Sequence, residues 1–468
     1  TQLIITSSVK LLSRAKITIS FFYTYIFTIK TTESSYFGKL FRSRLNSQAT
    51  FAILGVMVLC SCLAPRFAQA QGTKYGLLTP DKTCTEKLPI VQWTGGQFEF
   101  PCSSTKSLFK SSGKYVPKNV IATRAQLVAD TIFLALPRYR HGVPATLVKT
   151  NVLPGTCATT LTPYPCWDMQ EEGNCKALQS VVDLLVDQNE VLWVLDTGIV
   201  NTLETPVRKC PPKVVAMSVK TGKVLKTISL EGLATSTSRL QYLVVDYAPD
   251  GSCFVYVSDA ANRAIIVYNL QADRGFRVVL PKAVTAGCRA RDVLYIALIR
   301  RDCGATELYF TYLSTSRLFA LKTEYLRSGV ADGRILDLGK KPTRIVIIGT
   351  DNGSAIFFRN EGDADVFRWD TNTAFLEINF KPVYRSPTCQ LATHAVPDYK
   401  RNTMRVLQSN FPDYMQNRVG CGAIQQLAVI QTLNFNHYND SSNKYFPPSK
   451  TSNHSKLHNN KNNCNMVQ

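Results

Sequence analysis

Six apolar runs in this chain share one local plan, and their spacing limits the fold more than any other feature. They are "IFLALP" (132–137), "LWVLD" (192–196), "FVYVSD" (254–259), "LYFTYLS" (308–314), "AIFFRN" (355–360) and "MRVLQSN" (404–410). Their starts lie roughly 50 to 60 residues apart, the period of a propeller blade with generous loops. Around most of them an inner apolar run comes first ("VVDLLVD", "YLVVDYA", "VLYIALI", "RIVIIGT") and a third run follows a short polar turn ("VVAMSV", "AIIVYNL", "LFALKT", "DVFRWD"). A weaker fourth reads as "VLKTISL", "FRVVL", "GRILDL" and "FLEINF". Runs rich in Val, Ile, Leu, Tyr and Phe, bounded by Gly, Asp, Asn or Pro, are short strands, and long amphipathic helical patterns are absent. Six units of four strands predict an all-β chain, a six-bladed β-propeller, in which radial repetition leaves few exposed edges. A pair of β-sandwiches would not produce six similar units. "GGQFEF" (95–100) is expected to complete the last blade beside "AIQQLAVIQ" (423–431), closing the ring.

The run ending at Asp196 continues into Asp196-Thr197-Gly198, the way an aspartic protease presents a catalytic carboxylate. That chemistry needs two facing carboxylates sharing one proton. No second Asp-Thr-Gly or Asp-Ser-Gly follows; the nearest stretch is Asp351-Asn352-Gly353. Asp196 therefore reads as the residue that ends a strand and opens a turn, where a short polar side chain can satisfy backbone N–H groups.

The 468 residues begin at Thr1, with the first methionine at Met57. The start reads either as a fragment or as an extension translated from upstream of the true start, and residues 1–50 are expected to lie outside the folded protein. Lys39, Arg42 and Arg44 precede the apolar run "FAILGVMVLCSCLA" (51–64), and "AQA" ends at Ala70. That is the plan of a signal peptide over 51–70, and the apolar run is short of the roughly 20 residues that span a bilayer. No membrane span is expected in the mature chain. The propeller with its lead-in is placed at 71–433. Ten of the 35 residues in 434–468 are Asn, so this tail is expected to be disordered for want of apolar anchors.

Of 14 cysteines, Cys60 and Cys62 leave with the signal, and no C-x-x-C pair occurs. The remaining twelve suit structural disulfides in an oxidising compartment better than zinc or a redox centre. A Cys288–Cys303 bridge is disfavoured, because the extended run "DVLYIALI" between them holds its ends apart. Sequons at Asn352, Asn439 and Asn453 fit glycosylation of a secreted chain. The full chain carries +21; without residues 1–70 it carries 46 − 32 = +14. Such a charge attracts acidic matrix, whereas no Lys/Arg block with interleaved aromatics points to nucleic acid.

"LPRYRHGVPATL" (136–147), "LTPYPCWD" (161–168), "LWVLDTG" (192–198) and "ELYFTYLSTSRLFALKTEYLR" (307–327) resemble the insect yellow / major royal jelly protein family. The match runs over about residues 90–430 with its motifs in order. It implies a secreted six-bladed propeller. Family members influence melanin patterning, convert dopachrome, bind biogenic amines or serve as nutrients. "GCRARDVLYIAL" (287–298) and "IIGTDNGSAIFFRNEGDADVFRWDTN" (347–372) are most similar to the yellow-g branch, associated with ovary and eggshell. Gln188 stands where many members have Cys, and "FRWD" replaces a common "CWN", so the family's disulfides do not carry over directly.

Candidate chemistry is sparse. Outside the tail the histidines are His141 and His394, the latter on an inner strand and able to line the channel; a buried structural histidine is the competing reading. The turns after the second strands should bring Asp196, Asp259, Asn262, Asn360 and Asn410 to one face, with Arg138 and Arg140 from the first blade. Together with Tyr139 and Phe358 they form a candidate site for a small amine or catechol, the carboxylates pairing with ammonium and the rings stacking. Asp259, Asn410 and Arg138 are the central three. Turn stabilisation is the competing role for all of them. Calcium lacks a dense ligand loop, and neither a phosphate-binding glycine loop nor a G-x-S-x-G elbow occurs, so no metal, cofactor or catalytic residue is assigned. The composite expectation is a non-enzymatic extracellular matrix or eggshell protein whose partners are other matrix proteins. A dopachrome-converting isomerase and an amine-binding propeller are the alternatives.

Overall fold

A computed structural model describes residues 91–152, 159–301, 304–387 and 390–432. The expected extension, signal peptide and tail, and the sequons at Asn439 and Asn453, lie outside these residues. Within them stand six four-stranded antiparallel sheets. Blade one is Arg124–Val128, Thr131–Ala135, Leu147–Asn151 and Thr162–Pro163. Blade two is Val181–Val186, Val191–Asp196, Lys213–Ser218 and Val224–Ser229; blade three is Leu240–Tyr247, Cys253–Asp259, Ala264–Asn269 and Arg274–Val279. Blade four is Leu294–Arg300, Thr306–Tyr312, Arg317–Lys322 and Leu336–Lys340; blade five is Ile345–Thr350, Ala355–Asn360, Val366–Asp370 and Phe380–Tyr384. Blade six is Leu391–Asp398, Thr403–Ser409, Ile424–Thr432 and, from the N-terminal side, Val91–Thr94. Each inner strand touches the inner strands of both neighbouring blades, including blade six with blade one, so the ring is a six-bladed β-propeller.

Burial explains why the second strands were the most legible. Every residue of Cys253–Asp259 and Thr403–Ser409 is buried, because adjacent blades cover both faces of a mid-blade strand. The core accordingly lies between blades: Trp193, Val214 and Val255 join blades two and three, and Tyr256, Phe310 and Phe319 join three and four. Outer strands are half solvated. Val224–Ser229 is mostly exposed or partly buried, and its sequence signal is correspondingly weak.

Two strand assignments change. The closing strand is Val91–Thr94, paired antiparallel with Ile424–Leu427, not "GGQFEF" (95–100). Gly95 turns the chain at φ 59°, and a Cβ there would stand 2.8 Å from the Pro117 carbonyl oxygen, so pairing stops at Thr94. The segment then crosses to blade one, where Phe98 bridges Leu161 in parallel and Phe100 stacks on Trp167 at 5.1 Å. The fourth strand of blade five is Phe380–Tyr384, not "FLEINF" (375–380). Leu376 and Ile378 are 59% and 88% exposed, Glu377–Asn379 is a 3₁₀ turn, and the run meets the core only through its end rings, Phe375 against Trp369 at 4.8 Å and Phe380 against Phe358 at 5.0 Å.

One disulfide, Cys175–Cys210, ties the entry of blade two to its third strand. Cys102, Cys166, Cys253, Cys288 and Cys421 are unbridged among the described residues, and Cys303 lies outside them. Among the described residues no helix is long and apolar enough to cross a membrane.

Candidate functional site

Register places the expected turn residues on one face. Val181 pairs with Asp196, Leu240 with Asp259, Ile345 with Asn360 and Leu391 with Ser409, so each second strand ends where an inner strand begins. Asp196, Asp259 and Asn360 therefore occupy equivalent corners of blades two, three and five, and Asn410 directly follows the equivalent Ser409 of blade six. What they touch is their own fold. Asp196 is fully buried and accepts the N–H groups of Gln179 (2.9 Å), Ser180 (2.8 Å) and Gly198 (3.0 Å), with Lys213 Nζ at 3.5 Å. Asp259, also fully buried, accepts Ser238 Oγ (2.5 Å), the Arg239 N–H (3.0 Å) and Asn262 Nδ2 (2.7 Å). Asn262 donates further to Thr235 and Ser238 hydroxyls. Asn360 accepts Thr343 Oγ1 at 2.6 Å, and Asn410 accepts the Ile424 N–H at 2.9 Å.

The first-blade arginines are committed in the same way. Arg138 is 2% exposed and donates to the carbonyls of Val143, Pro144, Gln170, Leu178 and Gln179, pinning the loop that leads into blade two. Burial lowers its pKa to about 10, which leaves it charged at neutral pH. Arg140 donates to the Tyr414 and Met415 carbonyls and lies 5.6 Å from the Tyr414 ring. Tyr139 and Phe358 belong to separate contacts: Tyr139 packs against the cluster of Ile121 and Tyr414, and Phe358 stacks on Phe367 at 5.7 Å.

Polar side chains do converge in the central channel, and most of them escaped the sequence reading. The inner strands shift register between Val181 and Asp183, Leu240 and Leu243, Ile347 and Gly349, and Ala392 and His394. Such bulges re-aim side chains next to them. Arg124, the first residue of blade one, lies 3.4 Å from Asp183 and 4.6 Å from the Tyr242 ring, and Tyr242 packs on Tyr295 at 5.3 Å. Burial pushes the Asp183 carboxyl up to about 6, opposed by Arg124 and by the N–H groups of Leu243 and Leu184. His394 is 8% exposed, and its Nδ1 accepts the Ala125 N–H at 3.1 Å. Burial, reinforced by the Arg124 charge, holds this imidazole well below its ordinary range, so it stays neutral. The space left is a cavity of about 80 Å³ lined by Arg124, Asp183, Tyr242, Arg300 and His394. The sequence signal for these residues was a charged or aromatic residue inside an apolar inner run: "VVDLLV", "LQYLVV", "LATHAV".

This arrangement limits the chemistry. The channel carboxylate is already paired with a guanidinium, which leaves an ammonium ligand no uncommitted partner there. Asp351 accepts the N–H groups of Gly353 and Ala355 in the turn after an inner strand, at the opposite end of the blade from the Asp196 corner, so the two never face. Among the described residues no group of three or more His, Cys, Asp or Glu side chains is placed to hold a metal. Asn352 is half-buried at φ 60°, and its Nδ2 donates to Tyr399 Oη at 2.8 Å.

The major royal jelly protein family profile matches residues 179–433. Protein yellow of Drosophila melanogaster is 26% identical over 271 residues, which are 54% of this chain and 50% of that protein. The Drosophila yakuba protein of the same name is 27% identical over the same shares. The chain thus spans about half the length of the curated relatives it matches. Among solved structures, regucalcin, a calcium-binding protein of Agrobacterium tumefaciens, shares 12% identity at a TM-score of 0.40, over 68% of this chain and 93% of that one. Virginiamycin B lyase of Staphylococcus aureus shares 12% at a TM-score of 0.37, over 73% and 99%. The fold rests on the six closed sheets and the family on the match over 179–433: this chain belongs to the major royal jelly protein family.

Proposed function

We propose that this chain is a secreted, non-enzymatic protein of an extracellular matrix, the eggshell in particular, and that its partners are other matrix proteins. One observation carries the reading: the side chains best placed to bind a small molecule already serve the fold. Asp196 and Arg138 hold backbone groups, Asp259 holds Ser238, Asn262 and the Arg239 N–H, Asp183 is paired with Arg124, and His394 is neutral with its Nδ1 taken by the Ala125 N–H. A tautomerase needs a free base tuned near neutral pH; burial holds His394 well below that range, and Asp183, raised to about 6, is paired with Arg124. What remains available is a basic exterior, +14 after residue 70, suited to acidic matrix. The similarity of segments 287–298 and 347–372 to the yellow-g branch favours the eggshell over pigmented cuticle.

The tyrosines among the described residues are buried or half-buried, which leaves few phenols of the ring free for oxidative coupling to neighbours. The signal peptide over 51–70 and N-glycans at the sequons belong to the same proposal. Asn439 and Asn453 are the favoured acceptors, because a sugar on Asn352 would replace its bond to Tyr399.

Immunostaining and extraction of ovary and epidermis test the reading. The expected result is synthesis in follicle cells during eggshell formation, with the protein retained in the extracellular layer. Synthesis confined to pigmenting epidermis, together with dopachrome turnover by purified protein, overturns it. Calorimetric titration adds a second check: saturable heat with dopamine or serotonin at or below about millimolar ligand, abolished by Asp259→Ala, would favour the amine-binding alternative.

A further inference from the structure

Four arginines stand without an ion pair where blades three and four meet the face on which inner strands begin. Arg239 directly precedes Leu240–Tyr247, and Arg263 lies in the turn between Cys253–Asp259 and Ala264–Asn269. Arg289 and Arg291 precede Leu294–Arg300. None of the four has a carboxylate within ion-pair distance among the described residues, whereas Arg301, Arg317, Arg344 and Arg385 each hold one. The group is a neighbourhood, not a scatter. The Arg291 charge acts on Arg239, and the Arg263 charge acts on Cys288, the residue before Arg289.

The acids packed among them point inward and are already used. Asp292 is 5% exposed and receives Ser314 Oγ together with the N–H groups of Val293 (2.8 Å) and Ser314 (3.2 Å). Asp259 is bound as described above. Arg239 is the informative member. Its Nη1 is sealed from solvent and has no hydrogen-bond acceptor, and burial and the neighbouring Arg291 charge lower its pKa more than the Asp292 charge raises it. An unsatisfied buried donor is costly, and a charged one more so. The other guanidinium nitrogens of Arg239 are not sealed and hold no acceptor among the described residues, so an incoming carboxylate would meet the group there and offset a charge its surroundings leave poorly compensated.

We propose that this surface of blades three and four binds carboxylate side chains of an acidic polypeptide. The guanidinium fork matches a carboxylate with two parallel hydrogen bonds, and all four cations are arginine. The cluster is four residues on two adjacent blades, which suits a few carboxylates on a peptide better than a long polyanion track. This deepens the matrix reading by naming its partner's chemistry, and rests on that reading only for the setting.

Fluorescence anisotropy with the purified propeller chain and a labelled octaglutamate peptide tests it. Wild type should bind saturably at low salt and release with added salt. The double variant Arg239→Gln/Arg291→Gln should bind at least tenfold more weakly. Arg317→Gln/Arg344→Gln, which removes the same charge from paired arginines, should stay within about threefold. Should Arg239→Gln/Arg291→Gln not fold, Arg263→Gln/Arg289→Gln changes exposed members of the same cluster and should show the same loss. Absence of saturable peptide binding overturns the proposal, as does equal loss in the paired-arginine control. Heparin bound through these arginines while the peptide is not would make a sulfated glycan the occupant and also overturn it. The assay uses purified protein, so its failure leaves matrix localisation standing, and failure of localisation leaves a positive binding result standing.

Discussion

Replacing Asp196 with alanine should destabilise the propeller far more than a surface turn residue would. The carboxylate is fully buried, accepts three backbone N–H groups at 2.8–3.0 Å and lies 3.5 Å from Lys213 Nζ, itself only 7% exposed. Hydrogen bonds to a charged acceptor contribute about 1.5–3 kcal/mol each, but three on one loop are not additive because the loop can relax. Removing one partner of a buried ion pair costs about 3–5 kcal/mol. Lys213 keeps the carbonyls of Cys175 and Ala177 at 2.7 and 2.6 Å, which favours the lower half of that range. We therefore expect a loss of about 4 kcal/mol. At about 2.1 cal/mol/K per residue, a ring of about 340 residues has an unfolding entropy near ~0.7 kcal/mol/K, so Tm should fall by about 6 °C. Asp196→Asn keeps one acceptor oxygen but no charge and should lose roughly half as much. Calorimetry or circular dichroism melts of wild type and both variants check this. A shift under about 2 °C for Asp196→Ala would refute the reasoning, and lost catecholamine affinity at unchanged stability would make Asp196 a ligand residue.

Two further outcomes follow from the same structure. Cys175→Ser/Cys210→Ser opens a 35-residue loop, and loop-closure entropy predicts a loss of about 3–4 kcal/mol, measured by denaturant unfolding with and without reductant. His394 is held below its ordinary pKa by burial and then by Arg124. The unfolded chain therefore takes up this proton first, and stability should drop as pH falls below about 6.5. Asp183, raised to about 6 by burial, works in the opposite sense from about pH 6 down to its ordinary 3.8, since the folded chain binds that proton first. The His394 contribution is thus the difference between wild type and His394→Gln. Melts at stepped pH should show a flatter acid limb for the variant, and superimposable limbs would contradict the assignment.

The yellow-family motifs and the blade repeat were legible because they are local. A strand covered on both faces must be apolar throughout, so "LWVLD", "FVYVSD" and "AIFFRN" announced six second strands whose limits the structure moves by no more than two residues. "FLEINF" misled because alternation within a short run does not say which face is covered: Ile378 is exposed, and the ladder starts at Phe380. The closing strand was found in kind but displaced, since Gly95 can turn and Val91–Thr94 can pair only in the presence of Ile424–Leu427, far along the chain.

The same division runs through the candidate site. Period and pattern by themselves determined that Asp196, Asp259, Asn360 and Asn410 would share a face, because equivalent strand ends in a radial repeat must do so. Composition by itself determined the net charge and the apolar content that drives closure. Only the tertiary structure decided what those residues do, because the N–H groups of Gln179 and Ser180, the Ser238 hydroxyl and the Ile424 N–H reach them across the sheet or from the preceding loop. It likewise decided that Arg124 of blade one meets Asp183 of blade two and Tyr242 of blade three, and that Arg239 is left without an acceptor. Hydrogen bonding and charge pairing act over a few ångströms between residues tens to hundreds of positions apart. No one-dimensional pattern records such distances until the ring has closed.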